Sequence, residues 1–259
     1  VVAIRPDITP QIARVVATRM RDHALPLKLS YNESVLRYQE PRDGKSREVL
    51  QIGAEYISEK ASASIDAEMI IISIEALEVI GLKDFKIDIG DVGFLRAVLD
   101  KLPVDDEARG RIKDAIAIKD TSGLESVLEG LSMPDKDRKL LLNLTTFYGE
   151  EEVLEKAASF SKDAESISAL EYLRSVVDIV ARQGLKDRVT IDLGEVRGFD
   201  YYTGIIFEGF ASGVGKPILS GGRYDTLLAR YGFSAAATGF AFDIENIIAA
   251  LERGAKKRK

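Results

Sequence analysis

Residues 94–184 carry only the spacing typical of α-helices, whereas the stretches on both sides carry the alternation typical of β-strands. Few strand–helix–strand units can be traced, so the pattern favours an α+β fold over a doubly wound parallel sheet. We therefore predict a core formed by residues 1–95 and 185–259, interrupted by a helical insertion at 96–184.

The composition of the 259-residue chain excludes several kinds of site. Cys is absent, which excludes disulfides, thiol nucleophiles and Cys-ligated metals, and the one histidine is His23, which excludes a His-rich metal site. The net charge of −6 argues against a broad nucleic-acid surface. We expect no cofactor, no metal, no membrane span and no signal peptide, and a cytoplasmic location. Because the chain begins at Val1, we expect an N-terminal segment to be missing.

Thr9-Pro10 predicts the start of the first helix, because Thr is a good N-cap and Pro suits the first helical position. On spacing alone, Asp7 and Thr9 are helix caps. The helix is predicted to end near Ala24, just before Pro26.

Two extended stretches are predicted between Glu33 and Ser58, on either side of a turn at 40–45 that is rich in helix and strand breakers. The second stretch alternates, with an apolar face formed by Leu50, Ile52, Ala54 and Tyr56. Its opposite face carries Gln51, Gly53 and Glu55. We expect the apolar face to pack on the protein and the polar face to meet a ligand or water.

Four polar segments, three of which contain glycine, stand out from the core patterns, at 5–9, 37–55, 195–204 and 220–225. Taken singly, each is explained by a helix cap, a turn ion pair or a glycine turn such as Gly221-Gly222. Together they supply an acid for an amine, a cation for a carboxylate and polar partners for a heteroaromatic ring: Asp7, Gln51, Glu55, Arg197, Tyr201 and Tyr202. Backbone could approach such a ligand closely at glycines 53, 198, 204, 221 and 222.

Residues 197–204, Arg-Gly-Phe-Asp-Tyr-Tyr-Thr-Gly, resemble the histidine-recognition signature of histidyl-tRNA synthetases. Residues 220–225 resemble the glycine-rich segment of that family, and residues 37–55 resemble motif 2 of class II aminoacyl-tRNA synthetases. The resemblance implies a class II synthetase-like antiparallel sheet with flanking helices.

The resemblance also implies a histidine pocket. The α-amino group would be held by Asp7, Thr9 and Gln51, and the imidazole nitrogens would be read by Glu55 and Tyr202. The carboxylate would lie beside Arg197, and the wall of the pocket would include Tyr201.

The residues that would bind ATP differ from the pattern of the synthetase family. The resemblance aligns motif 3 with residues 239–246, where Asn246 replaces the arginine that clamps phosphates and Asp243 replaces a small residue. Motif 2 retains Arg37 as an anion contact but loses a carboxylate and an arginine, at Gln39 and Lys45. Since phosphoryl transfer depends on positioned positive charge, we expect adenylation to be lost or badly impaired and assign no catalytic residue.

The segment from Ile4 to Arg14, and residues 117–120 in the insertion, resemble a paralogous family, the regulatory subunits of ATP phosphoribosyltransferase. The chain also stops after motif 3, without room for an anticodon-binding domain. The resemblance implies a non-catalytic subunit that activates the short-form catalytic subunit in the first step of histidine biosynthesis. It would contribute to histidine feedback within a hetero-octamer, self-associate as a dimer and take L-histidine as a candidate ligand, without nucleic-acid or membrane partners.

Two other interpretations stay open. A catalytic-domain fragment of a histidyl-tRNA synthetase would support histidine-dependent ATP–pyrophosphate exchange. A synthetase-like binding module, such as a kinase-associated regulator, would co-purify with a different protein.

Overall fold

The computed structural model describes residues 4–37, 48–161, 163–195 and 202–256. Its contacts divide the chain into two units, the first formed by residues 1–87 and 208–259 and the second by residues 88–207. The residues predicted as a helical insertion fall within the range of the second unit, and the predicted boundaries at 95 and 184 stay a prediction.

The first unit contains α1 (Thr9–Arg19), β1 (Leu27–Leu36), β2 (Glu48–Ser58), α2 (Ala63–Val79), β7 (Leu219–Arg223), the 3-10 helix Leu228–Tyr231, β8 (Ala236–Asp243) and α9 (Ile244–Lys256). Two strands cross the boundary between the units along the chain, β3 (Phe85–Asp91) and β6 (Ile205–Ala211).

The second unit contains α3 (Val92–Leu99), α4 (Asp106–Ala117), α5 (Thr121–Glu129), α6 (Asp135–Leu144), β4 (Tyr148–Gly149), α7 (Glu152–Phe160), α8 (Ala164–Arg182), the 3-10 helix Lys186–Arg188 and β5 (Val189–Asp192). The helices begin at side-chain caps where the sequence supplies them. Asp105, for example, accepts a hydrogen bond from the Ala108 amide at the start of α4.

The sheet has the strand order β1-β2-β8-β7-β6-β3-β5-β4, and β1, β2, β8 and β7 pair antiparallel. Helices and an antiparallel-rich sheet in this arrangement confirm the α+β prediction. The register places Glu55 of β2 opposite Gly239 of β8, and Gly239 opposite Gly222 of β7. Residues opposite each other share a face of the sheet, so this row brings one carboxylate beside two glycines.

The burial of β2 is the reverse of the expected one at its first half. Leu50 and Ile52, predicted to pack, are 38% and 40% exposed, whereas the polar-face residues Gln51, Gly53 and Glu55 are buried. The polar face is covered because side chains of the first unit, described below, close over it. The apolar-face prediction was therefore wrong at these two positions.

Three local predictions also differ from the structure. The first helix ends at Arg19 and not near Ala24. Gly221 and Gly222, which a turn would explain from sequence alone, lie within strand β7, and the short strand β4 was not predicted. The turn predicted at 40–45 lies outside the described residues. Among the described helices, none has the length and apolar character needed to cross a membrane.

Candidate functional site

Glu55 is the centre of a buried polar group in the first unit. Its side chain lies on β2, is 2% exposed, and has both carboxyl oxygens engaged by hydroxyl groups. The Thr9 hydroxyl donates to Oε1 at 2.6 Å, and the Tyr224 hydroxyl donates to Oε2. A buried carboxyl held by two hydroxyls is positioned in one orientation while it stays able to exchange a proton.

Thr9 and Asp7 are brought together with Glu55, and Thr9 does not cap the helix with its side chain. The N-cap residue of α1 is Ile8, and it makes no side-chain capping hydrogen bond. Thr9 instead directs its hydroxyl to Glu55, while its amide donates to Asp7 Oδ1 at 3.1 Å. The capping interpretation of Thr9 was wrong because a partner 46 residues away along the chain takes its hydroxyl.

Tyr224 was not among the predicted site residues, although it lies in the glycine-rich segment 220–225. It is 2% exposed and directly follows β7, and its amide donates to the Ala237 carbonyl at 2.8 Å. Its hydroxyl crosses to Glu55, 169 positions away in the sequence. Nothing in the spacing of the segment indicates that contact, because it depends on the neighbouring positions of β2, β8 and β7.

A buried ion pair fixes the segment that carries Tyr224. Arg223 binds Asp66 of α2 through two hydrogen bonds, from Nε at 2.9 Å and from Nη2 at 2.8 Å, and Asp66 is fully buried. Arg223 Nη1 also binds Asp225 at 2.9 Å, and Asp225 accepts from the Ala237 amide at 2.9 Å. The bidentate geometry orients the guanidinium strongly, so the neighbouring Tyr224 is held from both sides.

Two glycines provide the space that these side chains occupy. A Cβ at Gly239 would fall on Glu55 Oε2, and a Cβ at Gly53 would fall on the ring of Tyr31 and lie 2.6 Å from the Phe240 carbonyl oxygen. The sequence interpretation assigned Gly53 to close approach of a ligand. In the structure, the space above Gly53 is filled by Tyr31, so that assignment was wrong.

Burial raises the pKa of the Glu55 carboxyl from its ordinary 4.5 to about 8. The hydrogen bonds from Thr9 and Tyr224 oppose this rise, and the negative charge of Asp7 adds to it. Burial also raises the pKa of Asp7, against the Thr9 amide and the positive charge of Arg37. Glu55 is therefore mostly a neutral acid at pH 7.

Gln51 supplies a buried acceptor on the same face of β2. Its side chain is 3% exposed, and its amide oxygen has no hydrogen-bond partner among the described residues. A buried amide oxygen without a donor costs free energy, so a ligand ammonium or N–H group at this position would be favoured.

Asp243 and Asn246, the two departures of motif 3, have structural partners at the start of α9. Asp243 Oδ1 accepts a hydrogen bond from the Asn246 amide at 3.0 Å, which is N-cap geometry. The Asn246 side chain donates to the Pro217 carbonyl at 2.8 Å. The helix N-terminus, a natural position for an anion, is thus occupied by the protein's own carboxylate.

For the remaining predicted residues, membership of this group stays a prediction, although the positive charge of Arg37 acts on Asp7. Tyr202 belongs to the second unit, where its carbonyl accepts from Arg96 Nη2 at 3.0 Å. Arg37 is exposed, at the end of the described range 4–37. The residues Arg197, Tyr201, Gln39 and Lys45 lie outside the described residues. No cluster of three or more acidic or histidine side chains within the described ranges is arranged to hold a metal ion.

Comparison with known proteins places this geometry in a family. Residues 1–247 match the family model of histidyl-tRNA synthetase. The ATP phosphoribosyltransferase regulatory subunit of Geobacter sulfurreducens is 45% identical over 252 residues, which cover 97% of this chain and 57% of that protein. Further curated relatives of the same name are 38–46% identical, and the chain spans 58–67% of their lengths.

Solved structures agree with these matches. An ATP phosphoribosyltransferase regulatory subunit/histidyl-tRNA synthetase from Bacillus halodurans aligns with a TM-score of 0.88 and 35% identity, over 95% of this chain and 64% of that one. A chain of the ATP phosphoribosyl transferase (HisG:HisZ) complex from Thermotoga maritima aligns with a TM-score of 0.71 over 93% of this chain and 80% of that one. At 18% identity the second likeness concerns the fold alone.

The fold and the matched family define a histidyl-tRNA synthetase-like protein with the class II aminoacyl-tRNA synthetase fold. The curated relatives narrow this class further. The chain belongs to the family of ATP phosphoribosyltransferase regulatory subunits.

Proposed function

We propose that this chain is a non-catalytic regulatory subunit that binds the short-form catalytic subunit of ATP phosphoribosyltransferase, activates it and contributes to feedback by histidine. The observation that carries the proposal is the buried Glu55 carboxyl, held by Thr9 and Tyr224 on the same strand face as the Gln51 amide oxygen, which has no partner among the residues that the structure describes. This arrangement retains the polar groups that an amino acid needs. Family membership supports the rest.

Histidine is the proposed ligand of this group. Asp7, Thr9 and Gln51 would hold its α-amino group. Asp7 and Thr9 present acceptor oxygens, and the Gln51 amide oxygen accepts no hydrogen bond from any described residue. Glu55 would read the imidazole ring. Arg197, Tyr201 and Tyr202 stay predicted members of the pocket.

Calorimetric titration with L-histidine tests the pocket. The imidazole of histidine has a pKa of about 6.5, and the pKa of Glu55 is about 8. Between these two values the imidazole and the carboxyl share one proton, which is what a hydrogen bond between them needs. We expect affinity to be greatest in this window and to weaken by about tenfold per pH unit outside it. Glu55→Gln should remove the alkaline limb, since an amide does not titrate. No heat at millimolar histidine for the wild type would contradict the proposal for the ligand.

The absence of aminoacylation is proposed from the start of α9. Asp243 places a carboxylate at the N-terminus of α9, and the side chain of Asn246 donates a hydrogen bond to the Pro217 carbonyl. Both features oppose the binding of phosphates there, because a negative charge repels them and a cation is missing. We expect no histidine-dependent ATP–pyrophosphate exchange.

A catalytic fragment of a histidyl-tRNA synthetase is the second candidate, since the matching family model carries that name. The exchange assay separates the two, because robust turnover would favour the synthetase. Exchange by an authentic histidyl-tRNA synthetase under the same conditions is the positive control.

The partnership is tested by reconstitution with the short-form catalytic subunit. The Thermotoga maritima relative is described as part of such a complex, which supports the choice of partner. We expect the two proteins to co-purify as a hetero-octamer that contains dimers of this chain. We expect this complex to form in the cytoplasm. The rate of the catalytic subunit should rise on addition of this chain and fall again with histidine. A catalytic rate that is unchanged by this chain would contradict the proposal.

A further inference from the structure

Lys119 has an unusual backbone in the second unit. Within the described ranges it is the non-glycine residue with positive φ, at +55°, immediately after the end of α4. This conformation is that of a helix C-terminal cap, because the Asp120 amide donates to the Ala115 carbonyl at 2.9 Å across Lys119 and ends α4 there. Lys119 was noted in the sequence only as part of the resemblance at 117–120.

The Lys119 side chain forms an ion pair with Asp192 at the end of β5. Lys119 Nζ lies 2.5 Å from Asp192 Oδ1, and Asp192 is 5% exposed. The same oxygen accepts a hydrogen bond from the Gly194 amide at 2.9 Å. A Cβ at Gly194 would lie 2.6 Å from Lys119 Nζ, so a glycine at this position leaves room for the ammonium group.

The surroundings of Lys119 are acidic. Burial, together with the negative charges of Asp192 and Glu195, raises the pKa of Asp88 to about 6, and the Tyr148 hydrogen bond and the positive charge of Lys119 oppose this rise. Tyr148 also donates a hydrogen bond to Asp88 Oδ1 at 3.1 Å. Removal of the lysine would leave the buried Asp192 carboxylate without this cation beside other acids, which is strongly unfavourable.

A second basic side chain, that of Arg96, contacts the backbone at Tyr202. Arg96 of α3 donates from Nη2 to the Tyr202 carbonyl at 3.0 Å, and the Val92 amide donates to the Gly204 carbonyl at 3.0 Å. The contacts of Lys119 and Arg96 therefore flank residues 196–201, one before and one after. Both side chains come from the stretch predicted as the helical insertion.

We propose that Lys119 and Arg96 are positioning residues for the described residues on either side of 196–201: Lys119 fixes residues 192–194 through Asp192, and Arg96 fixes residues 202–204 through the Tyr202 carbonyl. Neither residue belongs to the predicted ligand contacts. The effect on histidine binding rests on the proposed function, whereas the effect on the chain at 194 and 202–204 does not.

Amide hydrogen exchange on the full chain tests the positioning without any ligand. Lys119→Met should raise exchange at Gly194 and Glu195 on the order of tenfold, and Lys119→Arg, which keeps a cation, should restore most of the protection. Arg96→Met should raise exchange at the Val92 amide, which donates to the Gly204 carbonyl. Lys136→Met, at an exposed position of α6, is the matched control and should change neither.

Histidine titration of the same variants gives the second readout. Lys119→Met should weaken binding on the order of tenfold, with the arginine variant close to wild type, since a lost charged contact costs about that much. Wild-type exchange in Lys119→Met, or raised exchange with unchanged histidine affinity, would overturn the positioning role. If the wild type binds no histidine, the proposed ligand fails while the exchange data still decide the positioning. Asp192→Asn replaces Lys119→Met if the latter does not fold, with the same expected direction.

Discussion

The Tyr224 hydroxyl donates a hydrogen bond to Glu55 Oε2, and this contact joins the residue after β7 to the middle of β2 across the intervening β8. It shows that the glycine-rich segment contributes a side chain to the polar group as well as conformational freedom. Both partners are 2% exposed, so the hydrogen bond is made without competition from water.

Removal of that hydroxyl should weaken the site without unfolding the protein. Tyr224→Phe keeps the buried ring and deletes one donor to Glu55, so we expect histidine affinity to fall about three- to tenfold, at roughly 1 kcal/mol for a lost hydrogen bond. Calorimetric titration measures this change. Tyr231→Phe, in the 3-10 helix Leu228–Tyr231, is the matched control and should bind like the wild type. Equal losses in both variants would contradict the assignment of Tyr224.

Gly239 should be far less tolerant of a methyl group than a glycine in open space such as Gly110. Gly239→Ala places its Cβ on the Glu55 carboxyl, so we expect a loss of about 1–3 kcal/mol in the free energy of unfolding and loss of histidine binding. Urea denaturation measures the stability.

The control for this overpacking is Gly110→Ala in α4, where a Cβ would meet nothing within 4 Å. Alanine is favoured over glycine inside a helix, so this variant should gain about 0.5–1 kcal/mol. A Gly239→Ala protein as stable as the wild type would show that Glu55 can move aside at no cost.

The stability of the protein should depend on pH through Glu55. Its pKa is about 8 in the folded state against an ordinary 4.5, so between these values the folded state binds more protons than the unfolded one. The contribution is present in full below the unfolded value and is lost as pH rises through the folded value. The free energy of unfolding should therefore fall with pH by up to about 1.4 kcal/mol per unit in this window.

Glu55→Gln isolates this contribution, because its side chain does not titrate. Thermal unfolding followed from pH 5 to pH 9 should give a wild-type minus variant difference that declines with rising pH. A constant difference would show that Glu55 titrates near its ordinary value.

Asp243 should stabilise α9 as a cap, independently of its charge. Asp243→Ala removes the acceptor for the Asn246 amide, and we expect a loss of about 1 kcal/mol in the free energy of unfolding. Asp243→Asn is the matched control, because asparagine caps helices about as well as aspartate. Chemical denaturation that finds both variants equally destabilised would assign the effect to charge.

The fold class could be predicted because strand alternation and helical spacing are local properties of the chain. The same local pattern misassigned Leu50 and Ile52, since alternation shows that two faces differ and not which one is covered. The prediction that Thr9 caps α1 was wrong for a related reason, because the Thr9 hydroxyl donates to Glu55, a residue far away in the sequence.

The site was predicted in part. Asp7, Thr9, Gln51 and Glu55 were named because the resemblance supplies their roles, which stay predictions, and the structure brings three of them, Asp7, Thr9 and Glu55, into one hydrogen-bonded group. Tyr224 and the Arg223–Asp66 pair were missed, because contacts between residues 169 and 157 positions apart leave no mark in local spacing. Tyr202, Arg197 and Tyr201 stay predictions.

Under the proposed function, the hydrogen bond from the Asn246 side chain to the Pro217 carbonyl means that a phosphate-binding arginine at position 246 would need several changes at once. Asn246→Arg alone would abandon that carbonyl and bring a guanidinium beside the Asp243 carboxylate, which would neutralise it before any phosphate arrived. Asp243→Ala alone would uncap the helix. Each single substitution would therefore remove a structural contact at the start of α9 without by itself creating a site for a phosphate.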